Sequence, residues 1–276
     1  MAKKYTLDEL LIIIAAREIH DGENVILGVG LPTTAGAMAK ALHAPYATLM
    51  MESGICDFQP LVPPNHIADA NACRGFSYAT DLFSTFTMTY RGFVDVCFLG
   101  VAQVDKFGNL NTTVIGDYDK PSMRLPGSGG APDFISYAKR TVLTLRGGSF
   151  VNKLDYLTSP GYLEGGDSRD KTGLFPQGSG PAALISTKGI FRFDLKTKEM
   201  YLDRIHPGVT LESIKKDIPW ELKVSPDLKT TERPSDEEID FIRDFAPELS
   251  AGSALTSELR RAHMKKKMEM RAVDKP

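Results

Sequence analysis

The sequence predicts an α/β fold with an open, mainly parallel sheet, flanking helices and antiparallel strands late in the chain. The first observation is that short apolar runs, typical of buried strands, alternate with helical segments, at 25–29, 46–51, 94–100 and 141–145. The second is that three later runs, 184–186, 190–193 and 200–205, are separated only by short turns, which favours hairpins.

The first helix is predicted to begin at a capping box. Thr6 and Glu9 have the spacing at which two side chains satisfy the free N–H groups of a helix start. We expect this helix to continue to about residue 20 and to end at the turn 21–22. A strand, a glycine turn, a helix over 33–42 and the strand 46–51 then form a βαβ unit, which predicts parallel strands with a right-handed crossover.

Further helices are expected over 131–138, entered from a glycine-rich segment, and over 210–217. A second capping box, Ser235 with Glu238, predicts another helix.

Since no repeat or low-complexity linker interrupts the chain, we predict a single α/β domain over 1–250. The remaining 251–276 form a predicted basic helical tail, because 260–271 hold six Lys or Arg and one acid. Such a tail either contacts a partner or is a solvated terminus.

Composition excludes several classes of protein. The chain has 276 residues, a net charge of −2 and 25% charged residues, which is typical of a globular protein and gives no support for nucleic acid or a membrane as partner. The apolar stretch 10–16 is too short to span a bilayer. Three cysteines form neither a CxxC pair nor a disulfide framework. We therefore expect a reduced, cytoplasmic protein.

Glu52 is the residue that carries most chemical information. It follows the apolar run 46–51 directly and precedes Ser53 and Gly54, a turn pair. A carboxylate there is presented at a strand-to-loop edge, where ligands bind in open α/β sheets. It can act as a nucleophile, as a base or as a structural cap. As a nucleophile it would attack an activated acyl group, such as a thioester, and form a mixed anhydride.

The glycine-rich segment 127–130 has the composition of an oxyanion-binding turn. Glycines allow backbone N–H groups to approach a ligand, and a helix beginning at Ala131 adds partial positive charge at its N-terminus. Donors arranged in this way stabilise a tetrahedral intermediate by about 3 kcal/mol. The same glycines are also typical of an ordinary turn.

Other chemistries have weaker support. Gly28 and Gly30 resemble the start of a dinucleotide fingerprint, but Thr33 replaces the third glycine, so a tight turn near a ligand is the better interpretation. Cys56 is interpreted as a small buried hydrophobe rather than as a thiol nucleophile. The histidines have no zinc-binding spacing, so no metal is expected, and no G-x-S-x-G elbow indicates a serine hydrolase.

Six segments, taken together and in order, resemble the B (β) subunit of glutaconate CoA-transferase, in the class I CoA-transferase family. They are MESG at 51–54, GVAQVD at 100–105, FGNLN at 107–111, IGDY at 115–118, GSGGA at 127–131 and NKLDYLTSPG at 152–161. The likeness extends from about residue 5 to about residue 250, so it is more specific than any single motif. It implies the class I CoA-transferase fold.

The resemblance implies a hetero-oligomer in which an A (α) subunit completes the active site. Acyl-CoA and a carboxylic acid are the implied substrates, and no tightly bound cofactor is expected. Glu52 is the implied nucleophile of a ping-pong reaction through a glutamyl-CoA thioester, with the oxyanion held by backbone N–H groups. Those groups belong to Gly130 and Ala131, and the residues expected to contact CoA are Gly28, Gly30, Ser53, Gly54, Gly127 and Gly129.

Two alternatives accompany this interpretation. Some relatives on the same scaffold have lost the glutamate and decarboxylate an acyl-CoA or open a ring on one, so an acyl-CoA decarboxylase or hydrolase is the first. Retention of Glu52 argues against it. The second is a non-catalytic partner subunit that only binds CoA derivatives.

Overall fold

The computed structural model describes residues 3–250 and Lys265, and the predicted basic tail otherwise lies outside the described residues. The helices are α1 (Leu7–Arg17), α2 (Leu31–Leu42), α3 (Leu82–Tyr90), α4 (Ala131–Tyr137), α5 (Ser168–Lys171), α6 (Leu211–Lys215), α7 (Asp236–Phe245) and α8 (Pro247–Ser250), with a 3-10 helix at Ala70–Cys73. None of the helices in this part of the chain is long and apolar enough to cross a membrane.

The strands, again in chain order, follow the predicted positions with several additions. They are β1 (Asn24–Leu27), β2 (Thr48–Met50), β3 (Ile55–Cys56), β4 (Tyr78–Ala79), β5 (Val96–Gly100), β6 (Gln103–Val104), β7 (Leu110–Asn111), β8 (Val114–Gly116), β9 (Pro121–Arg124), β10 (Arg140–Leu145), β11 (Ser149–Phe150), β12 (Pro181–Ser186), β13 (Gly189–Phe193), β14 (Met200–Ile205) and β15 (Lys223–Thr230).

The described chain divides into two compact units. The first contains 3–22, 27–82 and 234–250, and the second contains 23–26 and 83–233. We predicted one domain over 1–250 because no linker or change of composition marks these divisions. That domain boundary remains a prediction.

The second unit contains the parallel strands that the sequence predicted. β5, β10 and β12 run parallel to one another, and β12, β13 and β14 form the expected antiparallel hairpins. In β5, the side chains of Val96, Cys97 and Phe98 are all at most 1% exposed, as expected for a strand covered on both faces. The predicted α/β class with late antiparallel strands is therefore confirmed.

β15, which pairs parallel to β14, was not predicted. It contains Pro226 and five charged or hydroxyl side chains, and its burial pattern does not alternate. Proline is tolerated in a strand at the edge of a sheet, and β15 is the outermost strand in the order β15-β14-β13-β12. Pairing with β14 therefore decides its conformation, rather than any local preference.

The first unit is built on α1, whose residues 10–16 are all at most 2% exposed. The predicted capping box is present: the Thr6 hydroxyl accepts from the Glu9 N–H at 3.1 Å, and the Glu9 carboxylate accepts from the Thr6 N–H at 2.7 Å. The same buried carboxylate accepts from Arg243 Nε of α7 at 2.8 Å. Burial of Glu9 is thus compensated by charged and backbone donors, which join α1 to α7.

β2 and β3 pair antiparallel and are joined by the four residues 51–54, of which 52–54 form the turn between the hydrogen-bonded Met51 and Ile55. The Met51 N–H donates to the Ile55 carbonyl at 2.9 Å, and the Gly54 N–H donates to the Met51 carbonyl at 3.0 Å. Gly54 has φ of 100°, which favours glycine and is typical of the last residue in such a loop. A Cβ at Gly54 would also lie 2.4 Å from the Thr80 carbonyl oxygen.

We expect Gly54→Ala to lower the free energy of unfolding by about 2–4 kcal/mol, because it combines an unfavourable φ with a backbone clash. The matched control is Gly22→Ala, since Gly22 also has positive φ but has open space where a Cβ would lie. That variant should lose only about 1 kcal/mol. Urea denaturation measures both, and equal losses would contradict the role of the Thr80 contact.

Candidate active site

Glu52 occupies the first central position of the turn between β2 and β3. The residues before it, Met50 and Met51, are at most 4% exposed, whereas the Glu52 side chain is only half-buried. Its backbone is fixed by the two hydrogen bonds that close the turn at Met51. The turn therefore holds the Glu52 carboxylate at the edge of the buried core. The strand-end position was predicted, but the reversal of the chain into β3 was not.

The two residues after Glu52 have roles within the loop itself. The Ser53 hydroxyl donates to the Ile67 carbonyl at 2.6 Å, which fastens the turn to the segment that follows β3. Gly54 is required by its φ and by its approach to Thr80. Both observations are explained without a ligand, so contact of Ser53 and Gly54 with CoA remains a prediction.

Gly28 and Gly30 form the turn between β1 and α2. The Thr33 hydroxyl, which stands where a dinucleotide fingerprint has its third glycine, is buried and donates to the Gly28 carbonyl at 2.7 Å. Gly30 is the N-cap of α2 with φ of 92°, and a Cβ there would meet open space. The predicted tight turn is confirmed, and its open side leaves room for a ligand to approach Gly30.

Cys56 lies in β3 and is 6% exposed. Burial and the nearby charge of Asp57 raise the pKa of its thiol, so the thiol stays protonated at neutral pH and is a poor nucleophile. Its predicted role as a small buried hydrophobe is confirmed. Within the described residues, no cluster of His, Cys, Asp and Glu is arranged to hold a metal ion.

The glycine-rich segment forms a turn that leads into α4. Gly127 and Gly129 both have positive φ, at 99° and 48°, and a Cβ at either position would meet open space. Thr112 fixes the start of the turn, because its carbonyl accepts from the Gly127 N–H and its hydroxyl donates to the Gly127 carbonyl, each at 2.8 Å. Backbone conformation, rather than packing, therefore requires these glycines.

The two predicted oxyanion donors lie at the end of this turn. Gly130 is the N-cap of α4, and its carbonyl accepts from the Phe134 N–H at 3.0 Å. The Ala131 N–H donates to the Ser128 carbonyl at 3.1 Å, which closes the turn. This bond was not anticipated. To act on an oxyanion, the Ala131 N–H would have to share or exchange its present acceptor.

The segments 100–105, 107–111 and 152–161 are joined by buried hydrogen bonds. Asp105 accepts from the backbone N–H groups of Phe107 and Asn109 and from Asn109 Nδ2, at 2.7–3.0 Å. Asn109 Oδ1 in turn accepts from the N–H groups of Gly161 and Leu163, at 2.8 and 3.0 Å. Burial raises the pKa of Asp105, and the donors around it oppose that effect.

A second set of hydrogen bonds links the same segments to 115–118. Asn111 Nδ2 donates to Gln103 Oε1 at 2.7 Å, and Gln103 Nε2 donates to Asp155 Oδ2 at 2.9 Å. Asp155 Oδ2 also accepts from the Gly116 N–H at 2.9 Å. Thr158 accepts from the N–H of Thr112, the residue that holds Gly127. The segments that carry the family resemblance in this unit thus form one scaffold that ends at the glycine-rich turn.

Arg169 is a buried residue that sequence reasoning missed. It lies in α5, is 3% exposed and donates hydrogen bonds to the last turn of α4. Its neighbours in sequence, Asp167, Ser168 and Asp170, are typical of a surface segment. We find no sequence signal that would have distinguished it from the exposed arginines.

Comparison with known proteins agrees with this scaffold. A family model described as Coenzyme A transferase matches residues 9–217. The B subunit of 3-oxoadipate CoA-transferase from Pseudomonas knackmussii is 37% identical over 87% of this chain and 92% of its own length. The B subunit of glutaconate CoA-transferase from Acidaminococcus fermentans is 34% identical over 91% of this chain and 94% of its own length.

Solved structures show the same relationship. The crystal structure of glutaconate coenzyme A-transferase from Acidaminococcus fermentans superposes with a TM-score of 0.85 and 30% identity, covering 92% of this chain and all of the matched one. The decarboxylase AibA/AibB superposes with a TM-score of 0.75 and 28% identity, covering 89% and 96%. The resemblance found in the sequence is confirmed, and this chain belongs to the coenzyme A transferase family, among relatives that are B subunits of such enzymes.

Proposed function

We propose that this chain is the B subunit of a heteromeric CoA-transferase that moves CoA from an acyl-CoA to a carboxylic acid, with Glu52 as the covalent nucleophile. The observation that carries the proposal is the position of Glu52. Its half-buried carboxylate lies in a fixed hairpin turn, within the segment 51–54 that resembles the nucleophile motif of the family. An A subunit, implied by the names of the relatives, is the proposed partner.

The proposed reaction has two symmetrical halves. A Glu52 carboxylate oxygen attacks the thioester carbon of the donor, the carbon–sulfur bond breaks, and a mixed anhydride and the CoA thiolate result. The thiolate then attacks the glutamyl carbon of the anhydride and releases the donor acid as its carboxylate. The enzyme is left as a Glu52-CoA thioester. The acceptor carboxylate then attacks the Glu52-CoA thioester, and the same two steps proceed in reverse. The full cycle therefore consumes no net proton.

Each attack places negative charge on a carbonyl oxygen, which requires hydrogen-bond donors. We assign this role to the backbone N–H groups of Gly130 and Ala131, at the start of α4. Support comes from the positive φ values and open surroundings of Gly127 and Gly129, which allow a ligand to approach the backbone here. Loss of one such donor typically slows catalysis by about 10²–10³-fold.

The acceptor is proposed to be a dicarboxylic acid or an oxo derivative of one. The relatives with 37% and 34% identity are named for 3-oxoadipate and glutaconate, which both carry two carboxylates. Relatives named for acetate align with only about half of this chain, 47% in one case. A relative named for caffeate, a monocarboxylic acid, aligns with 78% of this chain at 29% identity. Sequence identity, rather than coverage, therefore favours the dicarboxylic class.

A decarboxylase is the second candidate, since the decarboxylase AibA/AibB has the same fold at 28% identity. Decarboxylation needs stabilisation of a carbanion but no carboxylate nucleophile. Glu52 in its fixed turn therefore favours transfer. A subunit that only binds CoA derivatives would need neither this carboxylate nor the glycine-rich turn.

We expect Glu52→Gln, assembled with its A subunit, to lower kcat by roughly 10³-fold or more, because an amide cannot form the anhydride. Glu212→Gln, which changes an exposed glutamate of α6, should leave kcat within twofold. Hydroxylamine added to the wild-type complex with acyl-CoA should convert Glu52 to its hydroxamate, detectable by peptide mass spectrometry. An unmodified Glu52 peptide under turnover would overturn the proposal.

Transfer and decarboxylation also differ in substrate dependence. With acyl-CoA alone, we expect release of one equivalent of free acid per site and then no further product. With a dicarboxylic acceptor, initial rates should give parallel double-reciprocal lines, as a ping-pong cycle requires. Continuous formation of CO₂ or free CoA from acyl-CoA alone, without an acceptor, would instead establish a decarboxylase or hydrolase.

A further inference from the structure

We propose that Arg169 is a positioning residue: its buried guanidinium holds the carboxyl end of α4 and thereby fixes the turn at Gly130 and Ala131. The inference rests on the proposed function, because it concerns the N–H groups assigned to the oxyanion. It goes beyond that proposal by naming a residue, distant in sequence from both the glutamate and the glycines, on which their reaction depends.

The position of α4 is not determined by the helix alone. It has seven residues, begins with Ala131 and Pro132, and is far shorter than the lengths at which isolated helices become stable. Its geometry therefore depends on tertiary contacts. Near its start, the Tyr90 hydroxyl donates to Asp133, and the Phe134 ring packs against Phe86 with ring centres 5.0 Å apart.

Arg169 provides the contact at the other end. Its Nη2 atom donates to the carbonyls of Ile135 and Ser136, at 3.1 and 3.0 Å. These carbonyls belong to the last turn of α4, where helices have acceptors without intrahelical partners. A positive charge there is also favoured by the helix dipole.

The guanidinium simultaneously holds two further segments. Nη1 donates to the Gly161 carbonyl at 2.6 Å, within the scaffold that Asn109 organises. Nη2 shares its two protons among three acceptors, the third of which is the Ser179 hydroxyl at 3.1 Å. The single proton of the Ser179 hydroxyl has two acceptors within reach, the Ser136 carbonyl at 3.0 Å and the Pro176 carbonyl at 2.7 Å. A planar group with several fixed donors is required to reach acceptors in three segments, and a lysine ammonium lacks that geometry.

Burial of the charged Arg169 guanidinium has a desolvation cost that a purely structural contact would not need. The acceptors just named are neutral, and the Phe175 ring lies 4.0 Å from the guanidinium carbon. Burial lowers the pKa of Arg169 to about 10, which still leaves it charged at neutral pH. Burial of this cation carries a desolvation cost that an apolar residue of similar size would avoid and that the negative charge of Asp170 offsets only in part.

The link from Arg169 to catalysis is geometric. Seven helical residues span about 10 Å, so a shift at the carboxyl end of α4 is transmitted to Gly130 and Ala131 as a tilt. A misplacement of about 1 Å at a reacting centre can cost 10²-fold in rate. Binding of acyl-CoA, which uses many more contacts, should depend on this tilt much less.

The test is single-turnover formation of the Glu52-CoA thioester, measured by mass spectrometry on the complex of both subunits. We expect Arg169→Lys to slow this step by about 30–100-fold. Affinity for acyl-CoA, measured in a Glu52→Gln background where no chemistry occurs, should change less than threefold. The matched control is Arg17→Lys, because Arg17 belongs to the first unit and donates two bonds to Glu238 on α7.

If Arg169→Lys does not fold, a variant with a smaller structural change can still test the inference. Ser179→Ala removes the hydroxyl between Arg169 and Ser136, and it should slow thioester formation by about 3–10-fold at unchanged acyl-CoA affinity. If Ser179→Ala, and Arg169→Lys where it folds, form the thioester as fast as Arg17→Lys, the inference is wrong. If Glu52→Gln itself forms a thioester, the proposed function fails first, whatever the Arg169 result.

Discussion

The absence of space for a side chain at Gly54 is the constraint from which the geometry of Glu52 follows. A Cβ at this position would lie 2.4 Å from the Thr80 carbonyl oxygen, and φ there is 100°. The position therefore requires glycine, and the turn is closed by two hydrogen bonds at Met51. Because backbone hydrogen bonds and the Ser53 hydroxyl fix the loop, the carboxylate of Glu52, our proposed nucleophile, is held in place while remaining half-buried.

The glycine-rich turn is fixed by a different means. Its own glycines have open space around them, so its position comes from polar groups at both ends. Thr112 holds Gly127 at the start, and Arg169 holds the last turn of α4 at the end. Both connect to the hydrogen-bonded scaffold of Asn109 and its neighbours. Most polar groups of this network are paired, but the buried Nε of Arg169 and the hydroxyl of Ser159 have no hydrogen-bond partner among the described residues.

The sequence predicted those features whose causes are local. The capping box at Thr6, the apolar run of β5 and the glycine turns all depend on residues a few positions apart. The β2–β3 hairpin was missed because β3 has only two residues and forms no sequence pattern of its own. β15 was missed because its conformation depends on pairing with β14, far away in sequence. Arg169 was missed for the same reason, since its acceptors are backbone carbonyls that leave no pattern.

The Ala131 hydrogen bond has a consequence for the oxyanion-binding role that we propose for this N–H group. An N–H that already donates to the Ser128 carbonyl gains, on binding an oxyanion, only the difference between the two acceptors. That difference is largest when the charge is fully developed, so such a donor favours the tetrahedral intermediate over the bound thioester. Gly129 has open space where a Cβ would lie, so a rearrangement of this turn would meet no steric obstacle at that position. In the proposed reaction, a turn that is hydrogen-bonded beforehand would thereby discriminate between ground state and transition state.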